Sequence, residues 1–287
     1  MTVDETPVSQ AVEAAGALAP AKRDRFTTGL GIIAATLGSA VGLGNIWKFP
    51  SMTGANGGAS FILIYLLSTL LVGLPVMISE VALGRKAHAD AITTLRKLAP
   101  KTRSGSLPWF LIGVFGVVSA FFILAFYTEV SGWVFAYIFK SITGSLLSTD
   151  PAVTSQAFTG LITDPMQSLL WQWLVLAWVG FIIILGVSKG IERTTKRLMP
   201  VLFVLLLILA VRSLTLPGAG QGLTFLFSPD FSKLNSSVIL AAMGLSFFKL
   251  SVGMGTMITY GSYFREEQNI PKTAITVMLA DLAVSIL

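Results

Sequence analysis

The chain has 287 residues, of which 54% are hydrophobic and only 12% are charged. Soluble domains carry roughly 25% charged residues, so this composition excludes a soluble enzyme and indicates an integral membrane protein. The net charge of +6 reflects Lys and Arg between apolar runs, as expected from membrane topology, and does not indicate a nucleic-acid partner. The chain has no cysteine, which excludes a disulfide framework and a thiolate metal site.

Apolar runs long enough to cross a lipid bilayer follow one another along the chain. The charge-free segments are 26–47, 49–79, 104–128 and 165–188. A shorter run at 198–211 predicts a fifth span, a sixth surrounds Lys249, and a seventh begins near Thr273. Residues 1–25 have no apolar core and are predicted to be a disordered cytoplasmic tail, followed by a transmembrane domain over 26–287.

The positions of the basic residues predict the orientation of these spans. With the N-terminus inside, most of the 20 Lys and Arg fall on the cytoplasmic side. Cytoplasmic loops of membrane proteins carry such an excess. We therefore expect a multi-pass protein of the inner (plasma) membrane with a cytoplasmic N-terminus.

Two of the spans are interrupted by glycine. The first contains Gly38, Gly42 and Gly44 near its midpoint, and the sixth contains Gly253 and Gly255. Glycine also allows close helix packing, which is the alternative interpretation of any one pair. In an inverted repeat of five spans, however, the sixth span is the counterpart of the first, so the two interrupted spans occupy corresponding positions. In transporters with such repeats, unwound segments at the bilayer midplane bind the substrate and its ions.

Lys249 lies inside a long uncharged run of the sixth span. Its nearest charged neighbours in sequence are Lys233 and Arg265. Either is on the order of 20 Å away along a helix, whereas a lysine side chain reaches only about 6 Å. The ammonium therefore cannot reach the membrane surface, and a partner inside the protein is expected.

Several motifs in order and spacing resemble the neurotransmitter:sodium symporters, and within them the bacterial amino-acid transporters of the leucine-transporter type. The similarity covers nearly the whole chain after residue 22. The motifs are GSAVGLGNIWKFP at 38–50, NGGASF at 56–61, LVGLPVMISEVALGR at 71–85, GVSKGIER at 186–193, SPDFSKL at 228–234 and MITYGSYF at 257–264.

The resemblance implies an all-α integral membrane protein with the inverted-repeat fold of the leucine transporter and broken first and sixth helices. That fold needs ten core helices, so the fold is expected to be truncated here. Two alternatives are open: the chain is a fragment of a longer protein, or it is a truncated product whose C-terminal half is a separate or a missing chain.

The resemblance also implies an amino-acid site between the two broken helices. The substrate carboxylate would bind the N–H groups of Leu43 and Gly44 and the Tyr127 hydroxyl. Its amine would meet main-chain carbonyls of the first and sixth spans. Glycine at position 42, where amine-transporting relatives carry aspartate, favours an amino acid over a biogenic amine. The full predicted set is Ala40, Leu43, Gly44, Tyr127, Phe248, Ser251 and Met254, the last at the side-chain end of the site.

Ion sites and gates follow from the same resemblance. Carbonyls of Gly38 and Val41 would form part of a second sodium site. The first sodium site would involve Ala40 and Asn45, but here Lys249 and Asp281 occupy its hydroxyl and amide positions. The predicted gate residues are Arg23, Lys48 and Phe248.

The hypothesis is that Lys249, paired with Asp281, takes the place of the first sodium ion. Three roles remain open for this pair: a tethered cation, a proton carrier that makes H⁺ a coupling ion, and a static contact between helices. The function predicted is secondary active symport of a neutral, apolar amino acid with Na⁺. The alternatives are a non-transporting membrane subunit for amino-acid binding or assembly, and an inactive truncated product.

Overall fold

A computed structural model describes residues 35–38, 40–100, 108–146, 148 and 150–287 of the chain. Within these residues the protein is helical and contains no β-strand, which confirms the predicted all-α class. Arg23 and the predicted N-terminal tail lie outside the described residues.

The helices follow in chain order from the first span to the seventh. Residues 35–38 and 40 are the helical inner part of the first span. The remaining elements are α1, a π-helical turn Gly44–Lys48 continued by Phe49–Ala55; α2, Ala59–Ala87, with a π-helical turn at Thr69–Gly73; α3, Ala91–Leu98; α4, Phe110–Ile142; α5, Pro151–Thr163; α6, Pro165–Ile184; α7, Val187–Leu214; α8, Ala219–Phe227; α9, Ser236–Lys249; α10, Thr256–Gly261; and α11, Ile270–Ile286.

Four of these helices, α2, α4, α6 and α7, are long and apolar enough to cross a membrane by length and composition. Much of their surface faces outward, and exposed apolar side chains cover α4, α6 and α7. Such a surface suits an apolar environment, either lipid or further helices of the fold, since lipid tails are as apolar as the side chains.

Polar caps fix where several helices begin. The carboxylates of Asp150 and Asp164 accept main-chain N–H groups in the first turns of α5 and α6, and Asn269 does the same for α11. Pro at the first or second helical position follows each cap, where its missing N–H costs no hydrogen bond.

Charged residues do not mark the ends of two spans. The segment that begins at Phe49 continues the first span, and α2 starts only at Ala59. The charge of Lys48 does not end the helix, because its side chain is exposed. Likewise α4 continues beyond Glu129 to Ile142, because Glu129 accepts hydrogen bonds from the Trp133 indole at 3.0 Å and from Ser168.

The inner halves of the second and sixth spans cross at very close range. A Cβ atom built on Gly84 of α2 would lie 1.8 Å from the main-chain oxygen of Ile258 in α10. One built on Gly261 of α10 would lie 2.3 Å from the main-chain oxygen of Val81. No side chain fits at either position, so these two glycines set the distance between α2 and α10.

Both expected helix breaks are present. Helical geometry stops at residues 41–42 in the first span and at 250–255 in the sixth. In the second break, Gly253 and Gly255 have φ of 83° and 75°, values that favour glycine. The Glu80 carboxylate of α2 accepts the N–H of Gly253 at 2.7 Å, which satisfies a main-chain donor freed by the break.

Candidate functional site

The break in the first span faces the Tyr127 hydroxyl of α4. The N–H of Gly44 donates to this hydroxyl at 3.3 Å, so the hydroxyl proton is left available for another acceptor. A Cβ atom on Gly42 would lie 2.8 Å from the same oxygen. Glycine at position 42 therefore allows Tyr127 to approach the main chain of the break.

A cavity of about 290 Å³ opens beside this contact, between α1, α4 and α9. Five of the sequence-predicted residues line it: Leu43, Gly44, Lys48, Tyr127 and Phe248. The remaining lining residues have no charged side chain: Trp47, Met52, Phe126, Ala241, Gly244 and Leu245. The space can therefore accept an apolar group next to the polar atoms of the break.

Other predicted substrate residues lie around the breaks but not on this cavity. Ala40 is buried in an apolar cluster that includes Met77 and Leu250. Ser251 lies in the sixth-span break with a φ of 54°. The main chain of Met254 packs against α4 at Gly116, where an added Cβ would come within 3.1 Å.

The two residues predicted for a partial second sodium site lie on the side of the first span that faces α7. A Cβ atom on Gly38 would lie 2.8 Å from the Thr195 side chain. Val41 lines a separate cavity of about 740 Å³ between the first span, α7 and α11. The structure thus places Val41 beside a space and Gly38 in close contact with α7.

The structure brings Lys249 and Asp281 into a buried ion pair. Lys249 Nζ lies 3.1 Å from Asp281 Oδ2, and neither side chain is exposed. Lys249 Nζ also donates to the Ser285 hydroxyl, one turn further along α11. The ammonium of the sixth span is therefore held by two groups of the seventh.

The Asp281 carboxylate receives further donors from the first two spans. Asn45 Nδ2 donates to Asp281 Oδ1 at 2.7 Å and to the Ser285 hydroxyl at 3.1 Å. The Tyr65 hydroxyl donates to Asp281 Oδ2 at 3.2 Å. Both carboxylate oxygens are thus hydrogen-bonded, which is the condition for a charge to be tolerated inside a protein.

Two aromatic faces complete the surroundings of the ammonium. Lys249 Nζ lies 4.6 Å from the ring centre of Phe49 and 4.8 Å from that of Tyr65. The two rings meet edge to face, with centroids 5.1 Å apart. Aromatic faces attract cations most strongly where water is excluded. Asn45, Phe49, Tyr65, Asp281 and Ser285, here called the cation cage, together surround the Lys249 ammonium.

Three members of the cation cage were not predicted from the sequence. Phe49 and Tyr65 are uncharged residues of apolar runs, and nothing local distinguishes them from lipid-facing aromatics. A signal did exist for Ser285, because it lies four residues after Asp281 and so shares its helix face.

Of the predicted gate residues, Lys48 has an exposed side chain at the mouth of the 290 Å³ cavity. Its ammonium lies 5.7 Å from the ring centre of Trp47. Phe248 lies on the opposite wall, with its ring 6.2 Å from that of Tyr127. Both side chains line the cavity beside the first-span break.

Comparison with known proteins decides the family. The sequence model described as "Sodium:neurotransmitter symporter family" matches residues 23–158 and 155–287, which together cover nearly all of the chain. The chain belongs to this sodium symporter family. The resemblance inferred from the motifs is therefore confirmed, and the broken first and sixth helices belong to a transporter fold.

Individual members of the symporter family support this assignment. An uncharacterized sodium-dependent transporter, YhdH of Bacillus subtilis, is 40% identical over 263 residues, or 92% of this chain and 57% of its own length. The sodium-dependent neutral amino acid transporter B(0)AT3 of Rattus norvegicus is 30% identical over 92% of this chain and 46% of its own.

A solved structure also matches the fold. The crystal structure of MhsT in complex with L-phenylalanine superposes with a TM-score of 0.86 and 46% identity, covering 92% of this chain and 59% of MhsT. The leucine-transporter-type fold is thus confirmed. The chain spans about half to three fifths of the length of the relatives it matches.

Proposed function

We propose that the protein acts in secondary active symport of a neutral, apolar amino acid with sodium. The observation that carries this proposal is the first-span break, where the Gly44 N–H meets the Tyr127 hydroxyl beside an apolar cavity that is also lined by Phe248, just before the sixth-span break. Such breaks free main-chain donors and acceptors at membrane depth, and these groups suit the carboxylate and the amine of an amino acid. The names of B(0)AT3 and of the MhsT complex agree with this class of substrate.

The substrate carboxylate is proposed to lie against the first-span break. The Tyr127 hydroxyl, which already accepts the Gly44 N–H, would donate its proton to one carboxylate oxygen. The main-chain carbonyls of Ala40, Phe248 and Ser251 would accept from the amine. An apolar side chain would then fill the cavity lined by Leu43 and Leu245.

Lys249 is proposed to replace one coupling ion by a tethered ammonium. Its charge is compensated by Asp281 inside the cation cage, so the cage as a whole is neutral without a bound ion. The five-residue surroundings leave the ammonium in contact with two acceptors and two ring faces. Sodium would bind only at the other site, to which Gly38 and Val41 contribute.

The test is uptake by the complete protein in proteoliposomes, measured against external Na⁺ at constant ionic strength. Labelled L-phenylalanine and L-leucine represent the proposed substrates, and L-glutamate is the control. We expect uptake of the first two only, with a Hill slope for Na⁺ of about 1, because a Hill coefficient cannot exceed the number of coupled sites. A slope near 2 in the unmodified protein would contradict the substitution of sodium by Lys249.

A double variant, K249T/D281N, sharpens this test. It restores the hydroxyl and amide that the family resemblance implies for a first sodium site. We expect its Hill slope to rise towards 2, whereas Ser285→Ala, which keeps both charges, leaves the slope unchanged. Uptake driven by a pH gradient without sodium would instead identify Lys249 as a proton carrier. Binding of the amino acid without uptake by the complete protein would support a non-transporting subunit.

A further inference from the structure

The first turns of α7 carry three exposed basic residues. Lys189, Arg193 and Arg197 are all exposed, and among the residues that the structure describes no carboxylate lies within ion-pair distance of any of them. The neighbouring Lys196 differs, because its ammonium binds Glu192 at 2.6 Å. We call Lys189, Arg193 and Arg197 the basic stripe.

The basic stripe points away from the protein interior. Thr195 faces the first span, since its side chain would be touched by a Cβ atom on Gly38. Arg193 and Arg197 lie two residues before and after Thr195, about 200° around the helix in either direction. Their guanidinium groups therefore extend from the face opposite the bundle.

The length of α7 puts the stripe at the level of the lipid headgroups. The helix has 28 residues. About 20 residues cross a hydrocarbon core of about 30 Å, so about two turns project beyond it. Arg212, in the last turn, is at the opposite end of the helix. The stripe thus lies at the inner boundary, on the side predicted to be cytoplasmic, where long basic side chains can reach the headgroups.

An apolar surface continues directly from the stripe. Leu198 and Val201 of α7 are exposed, as are Ile183 and Ile184 at the end of α6. The hairpin between α6 and α7 is tight, because a Cβ atom on Gly190 would lie 2.0 Å from the main-chain oxygen of Ile182. The basic stripe and exposed apolar side chains therefore occur together at this end of the α6–α7 hairpin.

We propose that the basic stripe binds the phosphate of an anionic phospholipid, whose acyl chains lie along the apolar surface of α6 and α7. The three cations are opposite in charge to a phosphate, and basic surfaces on the cytoplasmic side of transmembrane helices bind anionic headgroups. The adjoining apolar surface is what distinguishes a lipid from a soluble phosphate as the occupant. This site is separate from the proposed transport site, and its test does not require transport activity.

The test compares the thermal stability of the purified full chain in detergent with added phosphatidylglycerol or phosphatidylcholine of the same acyl chains. We expect phosphatidylglycerol to raise the melting temperature above the phosphatidylcholine value. The triple variant K189Q/R193Q/R197Q should lose at least half of this increment. K86Q/K97Q/K272Q removes the same charge from three exposed lysines that are spread over other elements, and it should keep the increment.

Single variants and a soluble-phosphate control complete the test. Each single Gln variant of the stripe should lose about one third of the increment, because each cation near a charged membrane surface contributes a similar amount. These single variants provide the result if the triple variant does not fold. Equal losses in the two triple variants would overturn the proposal in favour of general charge attraction. Full stabilisation by inorganic phosphate alone would overturn it in favour of a soluble anion.

Discussion

Replacing Lys249 with methionine removes the ammonium that the cation cage surrounds while keeping a side chain of similar length. The Asp281 carboxylate then remains buried with the amide of Asn45 and the hydroxyl of Tyr65, but without a cation. Breaking a buried ion pair from one side costs about 3–5 kcal/mol. At 1.4 kcal/mol for each factor of ten, the ratio of folded to unfolded protein falls by roughly 10²- to 10³-fold or more.

The double variant K249M/D281N tests whether the two charges stabilise the protein as a pair. It leaves no unpaired charge, so its cost should be smaller than the sum of the two single variants by at least about 2 kcal/mol. The free energies of unfolding would be measured by titrating the purified protein with denaturing detergent in mixed micelles. Ser285→Ala is the control, because it removes one hydrogen bond and should cost only about 1 kcal/mol.

Additive costs would refute this account of the cage. If the double variant were destabilised by the full sum, the ammonium and the carboxylate would contribute independently, and their 3.1 Å contact would carry no energy. Lys249 would then be neither a substitute for a cation nor the partner of Asp281.

Three other variants test separate contacts. Gly84→Ala places a methyl group 1.8 Å from a main-chain oxygen of the facing helix and should abolish stable folding. Its control, Gly160→Ala, meets nothing within 4 Å and should be neutral or stabilising by up to about 1 kcal/mol, as thermal unfolding would show. Tyr127→Phe should weaken amino-acid binding by about 10- to 150-fold in an equilibrium binding assay, the value expected for a hydrogen bond to a charged group. Glu80→Ala should leave the Gly253 N–H without an acceptor and cost about 1–3 kcal/mol, whereas Glu80→Gln retains a carbonyl acceptor and should cost less.

The features predicted well from the sequence are those that a membrane makes conspicuous. Lys249 is a single charge in a long uncharged segment and Asp281 lies among apolar residues of the seventh span, so their need for a partner is visible without a structure. The glycines of the sixth-span break likewise lie where the positive φ of Gly253 and Gly255 requires them. A buried charge costs free energy unless it has a partner, and a positive φ costs free energy unless the residue is glycine.

The features missed depend on contacts between distant segments. Phe49 and Tyr65 look like ordinary lipid-facing aromatics, and only packing of α1, α2 and α9 brings their rings to the ammonium. Lys48 lies inside the first span although it is charged, since an exposed charge in a helix need not end it. The short helices α3, α5 and α8 lack the apolar length that makes spans recognisable.

The composition of the cation cage also affects how the protein enters the membrane. Asp281 follows Lys249 by about 30 residues, so at synthesis rates of about 5–20 residues per second the lysine emerges roughly 2–6 s before its carboxylate. Phe49 and Tyr65 precede Lys249 in the chain and have already been made. During these seconds Asn45 and the two aromatic residues are the members of the cation cage that have been made, so Lys249 is synthesised well before its counter-charge.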